Sequence, residues 1–253
     1  MSLLTSLRSE ILKTKRTAAF YFTLVGAAVV PIVYLFNVVF DEINDTRKDP
    51  FNAMFKIDFE MNSLVFFPWF LILICTLMPQ IEYKNNTWKQ VFASPQTKAT
   101  VFMAKFLSIH LLLLLFLTAN HIFMFIAAFA THFILPELDL LNQPLNVRQL
   151  LVNNTNLYLT VLAIGTIQFW IGLRFRNFIV PIAIGLALWI AGTLMVFESH
   201  SVYAKYFPYS FQIFSSLPQI KPQLNEVEWT SLGYSVIVLI LGFIDFNRRR
   251  ISA

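Results

Sequence analysis

His110 and His121 stand eleven residues apart, with Asn120 beside the second. At 3.6 residues per helical turn that spacing returns to nearly one face, so the three could line a polar or proton-carrying pathway. The axial separation is about 16 Å at 1.5 Å per residue, too long for one metal site, and no metal is expected. Polar packing between helices is the plainer reading, and Gln168 and Asn37 are read the same way. The seven glycines, four histidines and single cysteine form no G-x-x-x-x-G-K-[ST], G-x-S-x-G, H-E-x-x-H or paired-cysteine pattern. No catalytic residue is expected on this chain, and no nucleotide site.

A second cluster promises binding rather than bond making. EYKNNTWKQVFASPQTKATVFMAKF, from Glu82 to Phe106, is a basic, helix-like segment between two membrane-length apolar runs. Asn86 and Thr87 offer capping oxygens, Trp88, Val91 and Phe92 recur at helical spacing, and Ser94 with Pro95 ends the stretch. A short helix with aromatic anchors at i, i+3 and i+4 is shaped to fill a groove on another protein. The competing reading is a membrane-surface helix with Trp88 among the headgroups.

The elements that must carry these residues are membrane helices. Of 253 residues, 57% are hydrophobic and 13% charged, about half the roughly 25% charged content of soluble domains. Six apolar runs stand near 18–40, 64–81, 106–131, 156–173, 178–197 and 229–246. Each approaches the roughly 17 to 25 residues that cross a hydrocarbon core, and a helix leaves no backbone group unsatisfied in lipid. The expected fold is an all-α membrane protein with six transmembrane helices in one domain. Only Arg174, Phe175, Arg176 and Asn177 separate the fourth and fifth runs, which implies a tight hairpin. Asp245 makes the last run the weakest. Cys75 lies within an apolar run and serves packing.

Basic residues set the orientation. Arg8, Lys13, Lys15, Arg16, Lys84, Lys89, Lys98, Lys105, Arg174, Arg176, Arg248, Arg249 and Arg250 fall on one side, thirteen of nineteen. By the positive-inside rule that side and both termini are cytoplasmic, in a multi-pass protein of the plasma (inner) membrane. Arg47, Lys48, Lys56, Arg148, Lys205 and Lys221 lie opposite, with eleven acids that include Asp41, Glu42, Asp45, Asp49, Asp58 and Glu60. Charges divided among membrane-adjacent sites speak against a nucleic-acid partner.

Further segments carry expectations. Leu4, Leu7 and Ile11 recur at helical spacing ahead of the first span, suggesting an amphipathic helix at the interface. The first apolar run, about 23 residues long, exceeds the roughly 7 to 15 of a signal-peptide core, so it reads as an anchored helix. Ala183, Ala187 and Ala191, with Gly185 and Gly192, would let another helix approach the fifth span, an internal contact being favoured over a dimer contact. Residues 41–63 and 132–155 read as polar loops. The segment 198–228 holds Tyr203, Tyr206, Phe207, Pro208, Tyr209 and Phe211, and reads either as a re-entrant pair broken at Pro208 and Pro218 or as an aromatic belt.

The order of LRSEILKTKRT, a first span, an acidic exit from the second, NNTWKQVFASPQTK, an AKF entry to the third and a late YFPYSF segment resembles the membrane subunit of ABC type-2 exporters. The branch it is most similar to holds bacterial lantibiotic and bacitracin self-protection permeases. The resemblance covers nearly the whole chain, and its most specific element is the TW…SP…K run. It implies a second permease subunit, in a homodimer or heterodimer, and a separate cytosolic ATPase that binds ATP and Mg. It assigns the coupling role to Glu82 and Asn86 to Pro95, an external gate to Tyr203 to Leu217, and an interfacial helix to Ser2 to Lys15. Phe-rich walls suggest an amphipathic, lipid-like or peptide cargo. Two other classes remain open: a proton-coupled carrier or membrane-embedded enzyme using His110, Asn120 and His121, and a non-transporting scaffold whose loop recruits a cytosolic partner.

Overall fold

The computed structural model describes residues 2–40, 49–217 and 220–248. Asp41, Glu42, Asp45, Arg47, Lys48, Pro218, Arg249 and Arg250, named above, lie outside the described residues. Among those described, regular structure is helical throughout. Helix α1 (Leu3–Thr14) is capped by Ser2, whose hydroxyl accepts from the Thr5 amide at 3.3 Å. Helix α2 (Ala18–Val39) is the first span.

The second span differs from its expected outline. Helix α3 (Pro50–Met61) runs through one π turn (Asn62–Phe66) into α4 (Phe67–Asn85), giving a continuous helix of 36 residues where 41–63 was expected to be a polar loop. The charged residues concealed an amphipathic pattern. Phe51, Met54, Phe55, Asp58 and Phe59 are all buried, and their i, i+3, i+4, i+7, i+8 spacing is one helical face.

Helix α5 (Trp88–Ala93) forms the short loop helix, and α6 (Lys98–Ile134) follows it with 37 residues. At 1.5 Å per residue α6 is about 55 Å long, so it projects well past a hydrocarbon core of about 30 Å. Helix α7 (Val147–Arg174) likewise begins nine residues before its expected start, so only part of 132–155 is loop. The hairpin to α8 (Ile179–Phe197) turns within four residues, as expected. Short 3-10 turns and α9 (Ile213–Ser216) then lead to α10 (Leu224–Arg248). Among the described residues six helices are long and apolar enough to cross a membrane: Ala18–Val39, Pro50–Asn85, Lys98–Ile134, Val147–Arg174, Ile179–Phe197 and Lys221–Arg248. This is an all-α membrane protein.

The helices pack chiefly as α2 on α6, α4 on α7 and α7 on α10. Phe70 and Phe116 stack at 4.5 Å in the central core, and Phe67 lies 5.4 Å from Phe116. At one end Tyr83 donates to the Leu173 carbonyl at 2.6 Å, Gln80 to Phe175 at 3.1 Å and Lys98 to Asn247 at 2.7 Å. These bonds gather the α4–α6 loop, the α7–α8 turn and the end of α10 on one side. Asp245 belongs there too, accepting from Arg174 at 2.6 Å and from the Trp170 indole at 3.1 Å, which fastens α10 to α7. At the other end Asn52 joins the Pro144 carbonyl and the Asn146 amide, and Lys205 pairs with Glu226 at 2.9 Å.

Small residues act differently from expectation in α8. Ala183, Ala187 and Ala191 are exposed, while Gly185 and Gly192 make the close contacts. A Cβ at Gly185 would meet Ile72 at 2.7 Å, and one at Gly192 would meet the Tyr209 carbonyl at 2.6 Å.

Candidate functional site

At the basic end, α1 lies against the roots of the loop. Ser6, Glu10 and Thr14 are buried, one per helical turn, while Leu4 is 77% exposed. The polar stripe of α1 therefore faces the bundle and much of its apolar surface faces away. This reverses the arrangement natural to a soluble amphipathic helix and suits one lying between protein and lipid.

The stripe has a partner of matching charge. Lys105 of α6, with its side chain 0% exposed, meets Glu10 at 2.7 Å and Glu82 of α4 at 2.8 Å. Lys13 also reaches both acids, at 2.7 Å and 3.2 Å. Two acids and two lysines thus balance, as burial demands. Burial alone would push the Glu10 carboxyl up, but Lys105 and then Lys13 outweigh it and hold it below its ordinary value. Burial would lower the Lys13 ammonium, and Glu10 with Glu82 raises it instead. One oxygen is left over: Glu82 Oε2 is buried without a hydrogen bond. A cavity of about 340 Å³ opens beside it, between Ser6, Glu10 and Lys13 on α1 and Glu82, Thr87 and Gln90 on the loop.

The loop helix forms where expected, with a different beginning and a different face. Asn86 does not cap α5; it closes α4 in the left-handed region at φ 51°, a conformation Asn tolerates. Thr87 precedes α5 without a side-chain capping bond. Ser94 donates to the Val91 carbonyl at 2.6 Å, Pro95 follows, and Thr97 caps α6 by accepting from the Thr100 amide at 3.1 Å. Trp88, Val91 and Phe92 do not stand free for a partner's groove. Trp88 stacks on Phe92 at 5.6 Å, both rings meet Phe246 of α10 within 6 Å, and all three residues pack on the central core. Lys105 lies 5.5 Å over the Trp88 ring, which joins the aromatic cluster to the ion network. The exposed side of the loop is Lys84, Asn85, Asn86, Lys89, Gln90, Ala93 and Pro95.

The polar residues of α6 separate into two environments. His110 is bonded through Nδ1 to the Tyr158 hydroxyl of α7 at 2.7 Å. Asn120 donates to the Ala27 carbonyl at 3.1 Å and to Asp58 at 3.0 Å. His121 lies 6.2 Å from the Phe55 ring, centroid to centroid. Asn120 and His121 line a cavity of about 440 Å³ with Asp58 and Asn62, and His110 is not part of it. Among the described residues no group of three or more His, Cys, Asp or Glu could hold a metal. Gln168 serves packing: it donates to the Pro181 carbonyl at 2.7 Å and accepts from Tyr209 at 3.0 Å.

The aromatic segment at the other end folds into the bundle. Tyr203 and Tyr206 are exposed, Phe207 and Pro208 half-buried, and Tyr209 and Phe211 buried. The Tyr209 backbone sits at the level of Gly192, five residues inside the end of α8 or about 7 Å at 1.5 Å per residue.

Glu10, Lys105 and Asp58 are the important side chains that motif reasoning missed. The i, i+4 spacing of Ser6, Glu10 and Thr14, and of Asp58 with Asn62, shows only that each acid shares a helix face with other polar residues, and no spacing marks Lys105. No curated protein matches the chain. Residues 6–192, most of the chain and including Glu10, Lys13, Glu82 and Lys105, match the model of the ABC-2 family transporter protein. The chain belongs to the ABC-2 family of membrane transporter proteins.

Proposed function

We propose that this chain is the permease subunit of an ATP-driven exporter, and that its basic end docks a separate cytosolic ATPase which binds ATP and Mg. The observation that carries the reading is the ion network of Glu10, Lys13, Glu82 and Lys105, which ties α1 and both roots of the α4–α6 loop into one body. A partner that pushes on α5 moves α4 and α6 with it, because Trp88 and Phe92 are packed on Phe246 and the core. Docking falls on the exposed side, chiefly Lys84, Asn86, Lys89, Gln90 and Pro95. The carrier reading finds less support, since His110 is committed to Tyr158 and lies outside the cavity that holds His121.

In this reading the basic end and both termini are cytoplasmic, the protein sits in the plasma (inner) membrane surrounded by lipid, and two permease subunits face each other as a homodimer or heterodimer. The buried turn around Tyr209 is the external gate, with Tyr203 and Tyr206 at its rim. The narrower likeness to lantibiotic and bacitracin permeases rests on the TW…SP…K run. The test is to purify the tagged chain from membranes of its own cells. A subunit bearing a G-x-x-x-x-G-K-[ST] phosphate loop should stay bound, and the pair should hydrolyse ATP while the chain alone does not. Transport by the chain alone in vesicles would overturn the proposal.

A further inference from the structure

Among the described residues Asp58 is a carboxylate without a cation. It is 2% exposed, and its Oδ1 accepts from the Asn62 amide at 2.8 Å and the Asn120 amide at 3.0 Å. Among the described residues no lysine, arginine or histidine lies within ion-pair distance of it. Two neutral amides soften the cost of burying this charge, yet they leave it unneutralised.

The groups around it are short of donors in the same way. Both amide hydrogens of Asn120 are used, one on Asp58 and one on the Ala27 carbonyl. Asn62 is 3% exposed, and its Oδ1 has no hydrogen-bond partner. Neither ring nitrogen of His121 meets a partner in hydrogen-bond geometry, although Asn154 stands close enough to interact electrostatically. All four side chains line the cavity of about 440 Å³ between α3, α6 and α7, a volume within the usual range for organic ligands. Asn62 also opens the π turn, a local rearrangement that often accompanies a binding site.

We propose that this cavity binds an organic cation carrying N–H donors, an ammonium or guanidinium group on an apolar body, with Asp58 as its counter-ion and Asn62 Oδ1 as a second acceptor. The N–H donors supply what the wall lacks. Phe55, Phe59, Leu117, Leu150 and Leu157 line the same cavity and receive the apolar part. The mouth is close to neutral, since Asp49 and Glu60 are accompanied by Lys56 and Lys221. Selection for charge therefore falls on Asp58. A hard metal ion fits less well, because it needs six or more converging oxygens and this wall offers one carboxylate, amides and an imidazole. To call the bound cation cargo rests on the exporter reading; to call it a ligand does not.

The test uses the full chain in detergent, without an ATPase, so its failure and that of the exporter reading are distinguishable. Dansylcadaverine, a primary ammonium on an aromatic body, is the probe, and its N-acetyl derivative is the uncharged control. Wild-type protein should bind the amine saturably and the acetylated probe at least tenfold more weakly. Asp58→Asn, which keeps the shape, should weaken amine binding at least tenfold and leave the acetylated probe unchanged. If that variant does not fold, Asn154→Trp fills the cavity from α7 without removing an Asp58 hydrogen bond, and should abolish the saturable phase. Equal binding of the two probes, no saturable binding, or full retention of amine binding by the folded variant would overturn the proposal.

Discussion

Lys105 and Glu82 meet at 2.8 Å with both side chains shut off from solvent. One lies near the start of α6 and the other near the end of α4, so the pair closes the base of the α5 loop. Glu10 and Lys13 complete it from α1. A buried charge that loses its partner is strongly destabilising, by about 3–5 kcal/mol in measured cases. Lys105→Met should therefore lower the thermal stability of the purified chain markedly. Adding Glu82→Gln should recover part of the loss, since it removes the charge left stranded. Thermal unfolding in detergent reads both, and a double variant no more stable than Lys105→Met alone would count against the pairing.

The network also predicts how stability varies with pH. The Glu10 carboxyl lies below its ordinary value near 4.5, so its contribution is complete above that pH and fades as pH falls through the lowered value. The Lys13 ammonium lies above its ordinary value near 10.5, so its contribution is complete below that pH and fades as pH rises through the raised value. Between these limits the contributions of Glu10 and Lys13 should be flat. Unfolding temperatures from pH 3 to 8 should fall more steeply below about 4.5 for wild type than for Glu10→Gln. Parallel curves would remove Glu10 from the account.

Trp88 and Phe92 are expected to act on the permease itself. Their rings pack on Phe246, so the double alanine variant should lose about 2 kcal/mol or more of packing energy and several degrees of unfolding temperature. Lys89→Ala with Gln90→Ala, on the exposed side, should leave stability within about 0.5 kcal/mol and weaken retention of the ATPase. Unchanged stability of the aromatic variant would mean that the rings are free for a partner after all.

His110 is expected to be a packing residue. His110→Gln can still bond Tyr158 and should keep substrate-stimulated ATPase activity of the complex, whereas Tyr158→Phe should cost about 1 kcal/mol of stability. Loss of transport in a stably folded His110→Gln protein would favour the proton-coupled alternative.

Apolar runs made the six helices legible because membrane length is nearly a constant. Their ends were not. Residues 50–61 and 147–155 carry enough polar groups to resemble loops, yet buried faces such as Phe51, Phe55 and Phe59 hold the first of them in a helix. The loop helix at 88–93 was readable from its apolar spacing and from Pro95. Which way its rings turn was not, because that depends on Phe246, more than 150 residues later in the chain. The same separation hid the ion network. Glu10 and Lys105 are ordinary charges in sequence and become a site only when α1 is laid on α6. Local spacing put His110 and His121 near one face with Asn120 beside the second, yet His110 is bonded to Tyr158 away from the cavity, and Asp58 joined Asn120 and His121 from a segment whose acids suggested an outer loop.

The central claim is that the α5 face docks a nucleotide-hydrolysing subunit. In a Cys75→Ser background, single cysteines placed at Gln90 on α5 and at Asn142 at the opposite end can be coupled to a short bifunctional cross-linker in the purified complex. The account predicts a cross-link from position 90 to the subunit carrying the phosphate loop, suppressed when Lys89 is also replaced by glutamate, and none from position 142. A complex that hydrolyses ATP but cross-links from position 142, or not from position 90, would contradict it.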